Sequence, residues 1–166
     1  MDLKAVEKIY VRQLKEIYSV EKQLLGILPG IIKMISSKEL KVALKFHFDQ
    51  TRIHTERMRK IFRQFNNYKP GDESCDPIKG LVRELEDLIE DANHSISLDA
   101  EVILIFQKIE HYEIACYSSL ITYARVLGHS QSCEMLQESL DEEFEADNKL
   151  EKLNEEIINT VLMKHA

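Results

Sequence analysis

Glycine and proline are scarce in this chain, and their placement limits what it can fold into. Five Gly and three Pro occur in 166 residues. Apart from Gly128 they fall in three clusters: Gly26–Pro29–Gly30, Pro70–Gly71 and Pro77–Gly80. A β-sandwich or barrel needs a turn signal about every 8–12 residues, so that class is excluded. Disorder is disfavoured, because 44% of the residues are hydrophobic and such a chain can bury enough apolar surface to fold. The apolar residues recur every three or four positions, the period of a helix. The chain is therefore all-α, with a few long helices.

The first helix is predicted over residues 3–35. Leu28-Pro29-Gly30 falls inside it, where proline removes one backbone bond and kinks the helix rather than ending it. Ser36-Ser37-Lys38-Glu39 has the form of a capping box, with Ser36 at the cap and Glu39 three residues on. It opens a helix over 37–65. Asn66–Asp76 is a loop by composition. Asp76-Pro77 then starts a shorter helix, 77–92, with Asp as cap and Pro at the first helical position. Asn93–Leu98 is polar enough for a turn, and Asp99 caps a long helix over 99–127. Gly128 is a left-handed stop, and the last helix covers 131–161. Short connections make antiparallel neighbours within each pair of long helices, and the link between pairs is long enough to cross them. The expected architecture is a single domain over 1–166, a ferritin-like four-helix bundle whose one long crossover carries a short extra helix.

The charge balance narrows the partners. Lys and Arg number 22 against 29 Asp and Glu, a net charge of −7. An evenly acidic chain lacks the basic patch that neutralises phosphates, so nucleic acid is not expected as a ligand. No apolar run approaches the ~20 residues of a membrane span, and Met1-Asp2-Leu3-Lys4 lacks a signal-peptide pattern. Cys75, Cys116 and Cys133 are odd in number and at no metal-like spacing. Reduced thiols in a cytoplasmic protein are the expectation.

The helix seams carry the chemistry. Steps of three and four along the first helix give Tyr10, Leu14, Ile17, Glu21, Leu24, Leu28, Ile31 and Ile35, with Glu21 the one acid. The third long helix gives Phe106, Glu110, Glu113, Tyr117, Leu120, Ala124 and Leu127. The fourth gives Leu136, Leu140, Glu143, Asp147, Leu150, Asn154, Ile157 and Val161. The second gives Leu40, Leu44, His47, Thr51, His54, Met58, Ile61 and Phe65, with Gln50 beside Thr51. All these interruptions lie near mid-helix, so a bundle brings them to one level. Each buried ion costs several kcal/mol even after relaxation, and like charges repel. A metal pair supplies the missing positive charge, and oxygen ligands with one or two imidazoles suit iron or manganese.

Tyr18-Ser19-Val20-Glu21-Lys22-Gln23-Leu24, Glu110-His111-Tyr112-Glu113-Ile114-Ala115 with Tyr117, and Leu140-Asp141-Glu142-Glu143 with Asp147 resemble the YciE/YciF-type bacterial ferritin-like family. The resemblance spans nearly the whole chain, including His47, Glu56-Arg57 and the crossover helix. It implies a rubrerythrin-like, metal-binding bundle, often dimeric, associated with stress responses and without an established reaction. By position it implies Glu21 as the first-helix ligand, Glu110 and Glu113 from the third long helix, and Glu143 and Asp147 from the fourth. His54 completes the set. Gln50 stands where the family commonly carries an acid. Two iron or manganese ions are implied, or one if the neutral Gln50 weakens a position. Oxygen or peroxide is the substrate such a site suggests.

Plainer explanations stand beside these. A lone glutamate such as Glu21 can snorkel or pair with a base. His47 is expected as a packed core histidine, while His94, His111, His129 and His165 are expected at the surface. Tyr10, Tyr18 and Tyr117 are expected in the core, their hydroxyls available to carboxylates. Of Glu142-Glu143-Phe144-Glu145, only Glu143 is expected to face inward. Cys116 is a small buried hydrophobe by position, and Cys75 has no base placed to activate it. Two competing classes remain: a structural or interaction bundle, dimeric, with a degraded or single-metal site, and a mini-ferritin cage.

Overall fold

The computed structural model describes residues 2–65, 76–91 and 96–165, and these are helical throughout apart from short connections. The helices are α1 (Leu3–Met34), α2 (Lys38–Phe62), α3 (Asp76–Asp91), α4 (Ile96–Val126) and α5 (Ser130–His165). The apolar seam of α1 is buried along its whole length, from Tyr10 through Leu14, Ile17, Leu24, Leu28 and Ile31 to Ile35. Burying each large aliphatic side chain contributes about 1.5–3 kcal/mol. α1 runs through Pro29 without ending. At Gly30 a Cβ would meet Ile89 Cδ1 of α3 at 3.0 Å. A side chain there would make the Ile89 tip shift by a few tenths of an ångström.

The helix ends show where the sequence reading slips. α1 is capped by Asp2, whose carboxylate accepts the Ala5 N–H at 2.8 Å. α2 is capped by Ser37, not Ser36: Ser37 Oγ accepts the Leu40 N–H at 3.2 Å. The cause lies on another helix. Asp99 is buried, and its two oxygens accept the N–H groups of Ser36 at 2.8 Å and Ser37 at 2.6 Å. Asp99 is therefore not the cap of its own helix. α4 already starts at Ile96, three residues earlier, and Asp99 in its first turn clamps the α1–α2 connection instead. α2 stops at Phe62 rather than 65, and α5 continues to His165 rather than 161. The stop after α4 follows the expectation. Gly128 has φ 73°, the His129 N–H reaches Ala124 O at 2.9 Å and the Gly128 N–H reaches Arg125 O at 3.2 Å, a Schellman closure. The expected Asn66–Asp76 loop, apart from Asp76, lies outside the described residues, as do Cys75 and the first half of the expected turn, including His94; its second half, Ile96–Leu98, is the first turn of α4.

Helix neighbours fix the topology. α1 packs on α2 and α4, α5 packs on the same two, and α3 packs on α1 and α4. At one end the rings of Tyr10, Phe65 and His129 meet, with centroids 5.0–6.0 Å apart. Gln64, just past α2, accepts a bond there from Ser132 of α5 at 2.9 Å. The Asp99 clamp holds the other end. Each neighbour in the ring is thus antiparallel, while α1 and α5, and α2 and α4, are parallel across the diagonal. α2 ends where α4 ends, so the link between them must travel the full length of the helices. His129, expected at the surface, is half-buried in the ring cluster because the Schellman turn folds it inward.

Candidate metal centre

All four long helices bring polar side chains to one level of the interior. α1 supplies Glu21, α2 supplies His47, Gln50 and His54, α4 supplies Glu110 and Glu113, and α5 supplies Glu143. Glu21, His54, Glu110, Glu113 and Glu143 are all completely buried, and His47 is 4% exposed. The placement follows from helical spacing. His47 and His54 stand two turns apart on one face of α2, and Glu110 and Glu113 one turn apart on α4. Two groups of potential ligands result: His47 with Glu110, Glu113 and Glu143, and Glu21 with His54 and Glu143. Within each, one ligand atom per residue lies within 4.8 Å of all the others. Glu143 belongs to both.

The distances are those of a tight cluster. His47 Nε2 is 3.3 Å from Glu110 Oε1, and its Nδ1 is 4.0 Å from Glu143 Oε2. His54 Nδ1 is 2.9 Å from Glu143 Oε1 and 3.1 Å from Glu21 Oε1. The Tyr117 hydroxyl donates to Glu21 Oε1. Even so, many of the buried polar atoms have no aligned hydrogen-bond partner. They include both carboxylate oxygens of Glu110, Glu113 and Glu143, Oε2 of Glu21 and both ring nitrogens of His47. Buried polar groups are normally satisfied, and an unmet one costs about 1–3 kcal/mol. Orphans concentrated at one point form a donor set that could hold a cation.

The electrostatics agree. Burial, reinforced by the Glu143 charge, pushes Glu110 and Glu113 well above the usual carboxylate range. Burial also raises Glu21, partly offset by His54. Glu143 is pushed up by burial, but His54 outweighs this and holds it below its ordinary value. Burial pulls His54 down, yet Glu21, Glu143 and Glu142 together lift it well above the ordinary imidazole value. His47 is lowered, chiefly by burial. Without a cation, then, the interior favours a His54–Glu143 ion pair and disfavours the charged forms of Glu110 and Glu113.

His54 is gripped from behind. Its Nε2 donates to Glu142 Oε2 at 2.7 Å, and Arg57 donates to the two oxygens of Glu142 at 2.5 and 3.1 Å. Burial pushes Glu142 up, but these bonds from His54 and Arg57 bring it down to about 2. The expectation that Glu142 is merely solvated is therefore corrected. Its sequence position beside Glu143 carries no stripe signal, because the partner that turns it inward is on α2.

Of the residues singled out in the sequence, Glu21, His54, Glu110, Glu113 and Glu143 come together as expected. His47, expected as packing, joins them. Asp147 does not enter either group. It sits a turn from Glu143 at the edge, where His111 Nε2 donates to its Oδ2 at 3.0 Å and its Oδ1 is buried without a hydrogen bond. Gln50 is buried beside His47 and Glu110 but faces a cleft between α2 and α5. Tyr117 supplies the expected hydroxyl to a carboxylate. The Tyr18 hydroxyl instead accepts from Arg59 at 3.1 Å, and the Tyr10 hydroxyl has no hydrogen-bond partner.

Comparison with known proteins gives consistent likenesses. Residues 5–163 match the family described as a domain of unknown function, DUF892. The chain is 34% identical over 153 residues to protein YciF of Escherichia coli K12, covering 92% of each. It superposes on the crystal structure of the E. coli stress protein YciF with a TM-score of 0.87, covering 93% of this chain and 97% of that one at 33% identity. YcfI from Rhodopseudomonas palustris gives 0.81 at 34% identity, covering 91% and 96%. A Xanthomonas campestris protein, 20% identical, shares the fold with a TM-score of 0.75, covering 97% and 98%.

Proposed function

The chain belongs to the DUF892 family, and on that premise we propose that it is a metal-binding protein with a di-iron or di-manganese site, acting in a stress response. In this reading the ring of α1, α2, α4 and α5 is a ferritin-like four-helix bundle, and the link carrying α3 is its crossover. The observation that carries the proposal is the set of orphaned carboxylate oxygens on Glu110, Glu113 and Glu143 around His47. Hard oxygen donors with imidazole fit iron or manganese. One ion would be held by His47, Glu110, Glu113 and Glu143, the other by Glu21, His54 and Glu143, with Glu143 common to both. Asp147 and Gln50 flank the first group.

When bound, such ions supply electron transfer to oxygen or peroxide and Lewis acidity. The chain's own residues do the rest. Glu110 and Glu113, whose neutral forms burial favours, would release any protons they carry on binding a cation, which would couple loading to proton release. The Tyr117 hydroxyl holds Glu21 in one orientation. Glu142, anchored by Arg57, keeps a proton on His54 Nε2 and so directs Nδ1 inward. The aliphatic seams shield the interior, leaving a cleft between α2 and α5 open beside His47 and Glu110.

A second reading rests on a specific observation, the capacity of the interior to neutralise itself through the His54–Glu143 pair and protonated Glu110 and Glu113. There the chain is a structural or interaction bundle with one metal or none. Metal analysis of protein purified from iron- and manganese-supplemented cultures decides. Stoichiometric metal that disappears in the Glu113→Gln/Glu143→Gln double variant supports the di-metal site. Trace amounts of every transition metal overturn it.

A further inference from the structure

One cavity adjoins the candidate metal centre and opens to the surface. It lies between α2 and α5, has a volume of about 300 Å³, and is lined by hydrocarbon from Val42, Leu44, Phe46, Ala146 and Leu150. Phe46 and Val42 stand at its rim, 62% and 67% exposed. Its polar floor is His47, Gln50 and Glu110, each nine-tenths or more buried. Both ring nitrogens of His47 and both oxygens of Glu110 lack hydrogen-bond partners. Apolar walls around a few convergent buried polar groups are the usual form of a small-molecule site. Gln50 faces this cleft and belongs to neither ligand group.

We infer that this cleft binds a small, uncharged, mostly apolar organic molecule bearing one hydroxyl-type oxygen, with the oxygen directed at Gln50, beside His47 and Glu110 of the first ligand group. The inference deepens the proposed function by naming the substrate class, and for its chemistry it rests on the metal-site reading. The size follows from the volume, about twice the ~150 Å³ that accommodates benzene. The lack of charge follows from the lining. Glu145 and Lys149 line the cleft with opposite charges, so neither sign of organic ion is favoured over the other, and the apolar walls cannot replace an ion's hydration shell. Water and hydrogen peroxide would leave the apolar walls uncovered. An aromatic or short aliphatic body covers them and leaves its oxygen where the amide of Gln50 offers both a donor and an acceptor.

The test uses benzyl alcohol as probe, followed by methyl-resonance NMR on the whole chain, with metal content measured on the same sample. Saturable shifts at Val42, Ala146 and Leu150 are expected, with sodium benzoate binding at least about tenfold more weakly. Ala146→Phe, which fills the cleft, should abolish the shifts while leaving metal content unchanged. Phe46→Asp, at an exposed rim position that does not endanger folding, should weaken binding by about tenfold. Absence of saturable shifts, benzoate binding equal to the alcohol, or unchanged affinity in both variants would overturn the inference. So would an affinity that falls as protein concentration rises, because a second copy would then cover the cleft. Saturable alcohol binding by protein that holds only trace metal after iron and manganese supplementation would sink the metal reading and leave the cleft standing.

Discussion

Replacing Glu113 by Gln should have opposite consequences in the metal-free and metal-loaded proteins. In the metal-free protein the Glu113 carboxyl is completely buried and is without a hydrogen bond on either oxygen, and burial and Glu143 push it toward the protonated form. Glutamine has the shape of that protonated acid and cannot ionise, so metal-free stability should change by less than about 1 kcal/mol. In the loaded protein the same change removes one anionic ligand of four in its group. Even outer partners of a metal site cost about 10–100-fold in affinity when lost, so 100-fold is a modest expectation. With metal at about 1,000 times its dissociation constant, binding stabilises the parent by about 4.1 kcal/mol. A 100-fold weaker site at the same concentration gives about 1.4 kcal/mol. At about 2–4 °C per kcal/mol for a chain of this size, the metal-induced rise in melting temperature falls from about 8–16 °C to about 3–6 °C. Thermal unfolding with and without manganese, followed by circular dichroism, reads both values. An unchanged metal-induced rise would refute the assignment of Glu113 as a ligand. A loss of more than about 3 kcal/mol in the metal-free variant would refute the protonated state, because it would mean that a buried ion pair had been broken.

Other outcomes follow from the same geometry. Glu110, Glu113 and His54 have raised folded values, so between their ordinary values (4.5 for Glu, 6.5 for His) and the folded ones the native state binds more protons than the unfolded. Their contribution to stability is full below those ordinary values and is lost as pH rises, by about 1.4 kcal/mol per pH unit for each proton of difference. His47 is lowered and opposes them, but it is outnumbered, and Glu142 at about 2 does not titrate in this window. The denaturation midpoint of metal-free protein should therefore rise from pH 7.5 to 5.5, and that of loaded protein should fall as protons displace metal; a falling metal-free midpoint would contradict the scheme. Glu142→Gln should weaken the second ion by about 10–100-fold and leave the first bound, as seen by titrating the ions against a chelator. Equal loss of both ions would place Glu142 elsewhere in the scheme. Asp99→Ala strips two charge-assisted bonds from Ser36 and Ser37 and should cost about 2–4 kcal/mol in chemical denaturation. A cost under about 0.5 kcal/mol would mean that water replaces the clamp.

The long helices and the five central residues Glu21, His54, Glu110, Glu113 and Glu143 could be read in the sequence because both obey local periodicity. An apolar stripe broken by Glu21, or by Glu110 and Glu113, is visible in one helix without knowledge of its neighbours. What escaped depends on a second helix. Ser37 displaces Ser36 as cap because Asp99, more than sixty residues away, takes the amide of Ser36. Glu142 turns inward because His54 and Arg57 await it on α2. His47 looks like packing along α2 alone and becomes a ligand candidate only when Glu110 and Glu143 arrive from α4 and α5. Asp147 shows the converse error, since correct periodicity put it on the seam but too near the edge to reach the cluster.

The Asp99 clamp also bears on the order of assembly. A nascent chain that has emerged only as far as α3 owns the first hairpin but not the acceptor for its turn, so the amides of Ser36 and Ser37 stay exposed to water. The same partial chain holds Glu21, His47 and His54 and lacks Glu110, Glu113 and Glu143. Arrival of α4 closes the hairpin turn and delivers the first two missing acids in one event, and α5 then adds the residue shared by both groups. Neither group of potential ligands is therefore complete until the last long helix has docked.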